Sequence, residues 1–160
     1  AIAAIDGPCY LRLNRNDYPN VTKEGEKFTI GVPSVLKEGT DVALFATGYM
    51  ARLAMEAAKE LEGAVSVRVV NVSTIKPMDL EAVRRMADGC RAVVTAEEHN
   101  VRGGLGSALA EVLCREPKPM KMVGIQDTFG CSGHNYQEVL EYHGLTKSAI
   151  AEAVREMAGI

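Results

Sequence analysis

The run from Val93 to Ala110 most constrains what this chain can fold into. It reads Val-Val-Thr-Ala, then Glu97, Glu98, His99 and Asn100, then a turn holding Gly103, Gly104 and Gly106, then Ser107 to Ala110. A buried strand, two acids and a histidine, a glycine-rich turn and a helix follow one another. Such a unit brings polar groups to the carboxyl edge of a parallel sheet, where open α/β folds bind ligands. Two phosphate devices are excluded by spacing. A dinucleotide fingerprint needs Gly or Ala three residues after Gly106, where Leu109 stands, and a P-loop needs Gly-Lys-Ser/Thr, which is absent.

The same strand-helix rhythm runs through most of the chain. Residues 41–46 form a short apolar strand closed by Thr47-Gly48. Met50, Leu53, Ala54, Ala57, Ala58 and Leu61 then fall on one helical stripe that ends at Gly63. Residues 65–72 read as the next strand. Asp79 starts a helix whose apolar face is expected to be Leu80, Val83 and Met86/Ala87. Residues 91–96 and 121–125 are further strands. Asn135 opens a helix through Tyr136, Val139, Leu140 and His143, stopped by Gly144, and Thr146 caps a last one with Ile150, Val154 and Met157 facing inward. Alternating strands and helices specify a mostly parallel sheet covered on both faces. Upstream of this rhythm, residues 28–36 suit an edge strand because Pro33 would break a central ladder. Residues 14–26 read as a linker, and residues 9–13 alternate like a strand. Residues 1–6 resemble the end of a helix running into Gly7-Pro8. The expectation is a fragment or a processed half of a longer protein.

Composition removes several function classes. The chain has 160 residues, 47% hydrophobic and 24% charged, which suits a globular domain with a real core. A formal net charge of −3 gives no electrostatic case for nucleic acid. No apolar run approaches the length that spans a membrane. Cys9, Cys90, Cys114 and Cys131 are scattered, which suits reduced thiols in the cytoplasm rather than a disulfide frame.

The candidate functional residues each carry a plain alternative. The amides of the 103–106 turn can hold an anion, or the glycines simply allow a sharp turn and close packing. Glu97, Glu98 and His99 can form an acid/base cluster. Alternation along a strand should turn Glu97 and Glu98 apart, which favours hydrogen bonds to loop amides or to a partner domain. Cys131-Ser132-Gly133-His134 reads as a polar loop, with no orienting third group for a thiol nucleophile. His99, His134 and His143 lack metal-ligand spacing. Arg12 and Arg15 can grip a phosphate with a bidentate fork, or Arg15 is a solvated arginine beside Asp17.

As a set these segments resemble the transketolase family. Gly7-Pro8-Cys9-Tyr10-Leu11-Arg12-Leu13-Asn14-Arg15 is similar to the end of its pyrimidine-binding domain. Its C-terminal domain is resembled, in order, by Gly39 to Gly48, Thr74 to Asp79, Glu97-Glu98-His99 with Gly103 to Ser107, and Phe129 to Gly133. The nearest likeness is the C-terminal subunit of a split transketolase. The resemblance implies a three-layer α/β/α domain with a mostly parallel, roughly five-stranded sheet. It implies residues 1–20 as the end of the pyrimidine-binding domain and linker, and 21–160 as the C-terminal domain. It also implies an enzyme that moves a two-carbon ketol unit between sugar phosphates, using thiamine diphosphate and Mg²⁺ held by regions outside this chain. The chain is then inactive alone. It needs the N-terminal part of the same enzyme and works within a homodimer. Arg15 matches the family arginine that binds the substrate phosphate. Glu98, His99, Gly103, Gly104 and Gly106 are the candidate dimer or domain contacts. No catalytic or metal-binding residue is expected here. Two relatives share the architecture: 1-deoxy-D-xylulose-5-phosphate synthase and the β subunit of a 2-oxoacid dehydrogenase. A non-enzymatic module binding a protein or small anion through the 103–107 turn is the alternative of another class.

Overall fold

The computed structural model describes residues 1–160. Five strands form one sheet: β1 (Ser34–Lys37), β2 (Val42–Ala46), β3 (Val67–Asn71), β4 (Ala92–Asn100) and β5 (Met120–Ile125), in the order β1-β3-β2-β4-β5. The helices are α1 (Tyr49–Glu60), α2 (Leu80–Ala87), α3 (Leu105–Leu113), α4 (Tyr136–Tyr142) and α5 (Lys147–Ala158). β2, β3, β4 and β5 run parallel, and β1 alone is antiparallel, lying on β3 with Ser34 opposite Asn71. This is the expected fold class, a mostly parallel five-stranded sheet with helices on both faces.

The two-sided core follows from alternation along apolar strands. Leu44, Ala46, Val67, Val69, Val94 and Ala96 face the layer of α1 and α5, where Met50, Leu53, Ala57, Ile150 and Val154 fill the space. Ala43, Phe45, Val70, Val72 and Val93 face α2 and α3, against Val83, Ala87, Leu105 and Leu109. A strand buried on both sides cannot alternate apolar with polar, so these read as continuous apolar runs.

Side chains define where three helices begin. Asp79, Asn135 and Thr146 accept hydrogen bonds from the amides of Ala82, Glu138 and Ala149. Each such cap contributes about 1 kcal/mol. α1 and α3 begin instead at Gly48 and Gly104, which bring no cap of their own.

Several local expectations need correction. Residues 9–13 form no strand, and Tyr10, Leu11 and Leu13 are exposed; their alternation has no sheet edge beside it to pair with. Before β1 the only regular element is a 3-10 turn at Ile2–Ala4. The edge strand is shorter than residues 28–36 and starts after Pro33. Leu80 is 47% exposed, and Ala82 joins Val83 and Ala87 on the buried stripe. Leu80 directly follows the Asp79 cap, at the first position of the helix, before its buried stripe begins at Ala82. β4 continues past Ala96 to Asn100 across a bulge against β5, where Ala96 pairs with Val123 and Asn100 with Ile125. Thus Glu97, Glu98 and His99 lie on the strand itself.

Candidate functional site at the carboxyl edge of the sheet

β2 and β4 are neighbours whose connections leave for opposite faces. β2 leads into α1, which packs with α5; β4 leads into α3, which packs with α2. This divergence is the switch point of an open α/β sheet, and the crevice beyond the strand ends is where such folds place their chemistry. β4 delivers two acids there, and its alternation turns them apart.

Glu97 turns towards α3. It is 1% exposed, and its Oε2 accepts from the Leu105 amide at 2.6 Å while Oε1 accepts from the Gly106 amide at 2.8 Å. The carboxylate caps α3 from eight residues upstream, and its charge is favourable at the positive end of a helix. Gly104 makes the fit possible, since a Cβ there would stand 2.0 Å from Glu97 Oε2. A Cβ on Gly106 would lie 2.6 Å from Met122 Sδ, a milder clash that this flexible side chain would have to move to relieve. The anion that the glycine turn can hold is therefore the chain's own glutamate.

Glu98 turns the other way, towards the start of α1. A Cβ on Gly48 would lie 4.0 Å from its Oε2. The Tyr136 hydroxyl donates to Glu98 Oε1 and accepts from Asn14 Nδ2 at 3.1 Å. Both terminal nitrogens of Arg12 donate to the Glu98 backbone oxygen at 3.2 Å. Burial, then the bond to Glu98, pushes the Tyr136 phenol well above the ordinary tyrosine range, so it remains a donor at neutral pH. Tyr49 stacks edge-on between Tyr136 and Tyr18, with ring centroids 5.7 and 5.4 Å away. The 12–18 segment is thereby laid across the switch point.

Arg15 sits in the middle of that segment, exposed, and makes no hydrogen bond or ion pair. Asn14 Oδ1 accepts from the Asn16 amide at 2.8 Å, folding the backbone around Arg15. His99 is exposed. Gly103 is also exposed and has φ +81°, a conformation that favours glycine. Glu97, Glu98 and His99 do not converge, so they form no acid/base cluster. Cys131 has a neighbour that sequence reasoning missed: its Sγ lies 3.5 Å from His143 Nε2. The residues missed at the switch point are Asn14, Tyr18, Tyr49 and Tyr136. Their one signal was Tyr136 on the inward stripe of α4, because a buried tyrosine hydroxyl needs a partner. No group of three or more His, Cys, Asp or Glu stands close enough together to hold a metal ion. No helix is long and apolar enough to cross a membrane.

A parallel sheet finished by one antiparallel edge strand, with a carboxylate-capped glycine turn at its switch point, defines an open α/β domain. Residues 31–150 match the family model of the transketolase C-terminal domain, and the chain belongs to that family. It is 46% identical over 158 residues to a 6-deoxy-6-sulfo-D-fructose transketolase subunit of Clostridium sp. (strain MSTE9), covering 98% of this chain and 49% of that protein. It is 34% identical over 161 residues to a 1-deoxy-D-xylulose-5-phosphate synthase of Chlorobium luteolum, covering 98% of this chain and 25% of that protein. Among solved structures, a split-gene transketolase in the form of an inactive beta4 tetramer superposes with a TM-score of 0.83 at 44% identity, over 91% of this chain and 48% of that one. The chain spans about half the length of the transketolase relatives it matches.

Proposed function

We propose that this chain is the C-terminal part of a transketolase that moves a two-carbon ketol unit between sugars bearing a terminal anion. Arg15 is the residue of this chain that meets the anion. The observation that carries this reading is Arg15 itself: a guanidinium without a protein partner, exposed, on a segment fixed across the switch point. A bidentate fork in that position suits a phosphate. Residues 1–20 are then the end of the pyrimidine-binding domain and its linker, with 21–160 as the C-terminal domain.

The working enzyme needs the N-terminal part and forms a dimer in the cytoplasm, with Glu98, His99 and Gly103 in domain contacts, whereas Gly104 and Gly106 are buried against Glu97 and Met122 and are withdrawn from that set. Four free cysteines are in keeping with that compartment. Thiamine diphosphate and Mg²⁺ belong to regions outside this chain. In support, the one glycine-rich helix start is filled by Glu97, whose charge would repel a diphosphate. That the chain is inactive alone is supported by the similar solved protein, an inactive tetramer of one subunit type. The terminal anion is a phosphate in the first reading. A sulfonate is a second reading, favoured by the sulfo-sugar subunit at 46% identity.

The test is ketol transfer by the chain joined with its N-terminal partner, with thiamine diphosphate and Mg²⁺. Donors are xylulose 5-phosphate and 6-deoxy-6-sulfofructose, the acceptor ribose 5-phosphate. Pyruvate with glyceraldehyde 3-phosphate runs in parallel. Seven-carbon product from xylulose 5-phosphate supports the phosphate reading. Transfer from the sulfo-sugar alone supports the second, and carbon dioxide from pyruvate moves the chain to the synthase branch. Arg15→Ala is expected to raise KM for the anionic sugar more than kcat falls. The loss is about 1.5–3 kcal/mol, the worth of a hydrogen bond to a charged group. An unchanged KM removes Arg15 from the site.

A further inference from the structure

We propose that Tyr136, with Glu98 behind it, is a positioning residue that holds the linker so that Arg15 is presented to the anionic end of the substrate. The inference rests on the phosphate reading of Arg15 and extends it to Tyr136 and Glu98, far along the chain.

The linker is fixed at three points. Arg12 is tied to the Glu98 backbone, Asn14 to the Tyr136 hydroxyl, and Tyr18 to the Tyr49 ring. Arg15 lies one residue beyond the middle point, so its Cα is about 3.8 Å from that of Asn14. Its backbone is therefore placed while its guanidinium stays free. The 1–20 segment holds only two basic residues, and the three points divide them: Arg12 is consumed in holding the segment, and Arg15 is left available. The Tyr136 hydroxyl is central because it joins both sides, donating to Glu98 and accepting from Asn14. Glu98 in turn fixes the direction of that hydroxyl, since an ionised carboxylate can only accept. Elsewhere the segment has little to hold it, with Tyr10, Leu11 and Leu13 exposed. Without the tie, substrate binding would have to order the linker at the same time. Each backbone residue ordered on binding weakens binding about five- to thirtyfold.

The experiment uses the enzyme assembled with its N-terminal partner and compares Tyr136→Phe, Asn14→Ala, Arg15→Ala and the Tyr136→Phe/Arg15→Ala double variant. Tyr136→Phe keeps the ring against Tyr49 and removes only the hydroxyl. Asn14→Ala cuts the same tie from an exposed position and also removes the acceptor of the Asn16 amide, so Tyr136→Phe is the decisive variant and Asn14→Ala its check against a folding defect. Each single change at the tie is expected to raise KM for ribose 5-phosphate about three- to tenfold, with kcat within about twofold. KM for glycolaldehyde, an acceptor with no phosphate, should not move. Amide hydrogen exchange over residues 10–18 should quicken in both tie variants. The double variant should be no worse than Arg15→Ala.

Two results overturn the proposal and leave the phosphate reading standing. One is a KM penalty in Arg15→Ala with none in Tyr136→Phe, whatever Asn14→Ala shows. The other is a Tyr136→Phe penalty that persists in full on the Arg15→Ala background. If Arg15→Ala has no penalty, the phosphate reading fails and the positioning role fails with it. Exchange over 10–18 then still reports whether the tie itself exists.

Discussion

Glu97 and Glu98 are neighbours with the same charge, and the structure uses them in opposite ways. Glu97 is buried and satisfied by two backbone amides only eight and nine residues ahead. Glu98 is half-buried and satisfied by side chains from opposite ends of the sequence, directly by Tyr136 and through it by Asn14. The first arrangement is local and serves the fold. The second is long-range, can be removed without opening the core, and holds the 12–18 segment. A single residue of strand register would exchange the two roles, because alternation decides which acid meets which helix.

The sharpest break of this comparison is Gly104→Ala. The added Cβ would stand 2.0 Å from Glu97 Oε2 and 2.7 Å from the Asn100 carbonyl. The carboxylate must leave α3, and two buried amides lose their acceptor. Denaturant unfolding is expected to show a loss of about 3 kcal/mol or more.

Glu97→Gln comes next, at about 2–3 kcal/mol, because one amide then faces an NH₂ group instead of an oxygen. Glu98→Gln should cost under about 1 kcal/mol in the same measurement, since the Tyr136 hydroxyl still finds an oxygen acceptor. Equal losses at the two positions would erase the distinction between them.

The smallest effect lies away from both acids and serves as the reference. Lys147 and Arg155 meet Glu60 at 2.8 and 3.1 Å on the exposed side of α1 and α5. The bond to Lys147, then that to Arg155, lowers the Glu60 pKa. A carboxylate lowered on folding adds stability above the ordinary glutamate range and loses it as pH falls through its lowered value. The stability gap between the protein and Glu60→Gln is therefore expected to be full at pH 7 and to vanish in acid. Acid titrations of the two proteins by circular dichroism check it. A gap that widened in acid would reverse the sign. Being exposed, this cluster contributes little either way.

How far the sequence could be read depended on the range of the interaction. The strands from β2 to β5 and all five helices announce themselves through local apolar pattern and local caps, such as Thr146 before Ala149. The divergence of Glu97 and Glu98 was legible too, since it needs only strand alternation. The identity of their partners was not. Nothing near Tyr136 marks it as the partner of Asn14, because that contact is made by the fold bringing distant segments together. The misread strand over residues 9–13 has the same origin. Alternation marks a segment able to pair, but an open edge beside it decides whether it does. The extension of β4 to Asn100 was hidden by its bulge, which breaks the apolar run before it breaks the strand.

The antiparallel edge strand has a consequence for assembly. A sheet with open edges invites another chain to add a strand, which leads to ordered subunits or to aggregates. Here β1 is four residues long, follows Pro33 and carries an irregularity between Val35 and Lys37. At the opposite edge β5 follows Pro119 and carries Lys121, which is tied back to Glu156 of α5. Neither margin offers an incoming chain a long, flat, uncharged row of backbone groups. Pairing with a further strand is thereby disfavoured at both margins, and the number of strands in the sheet stays fixed.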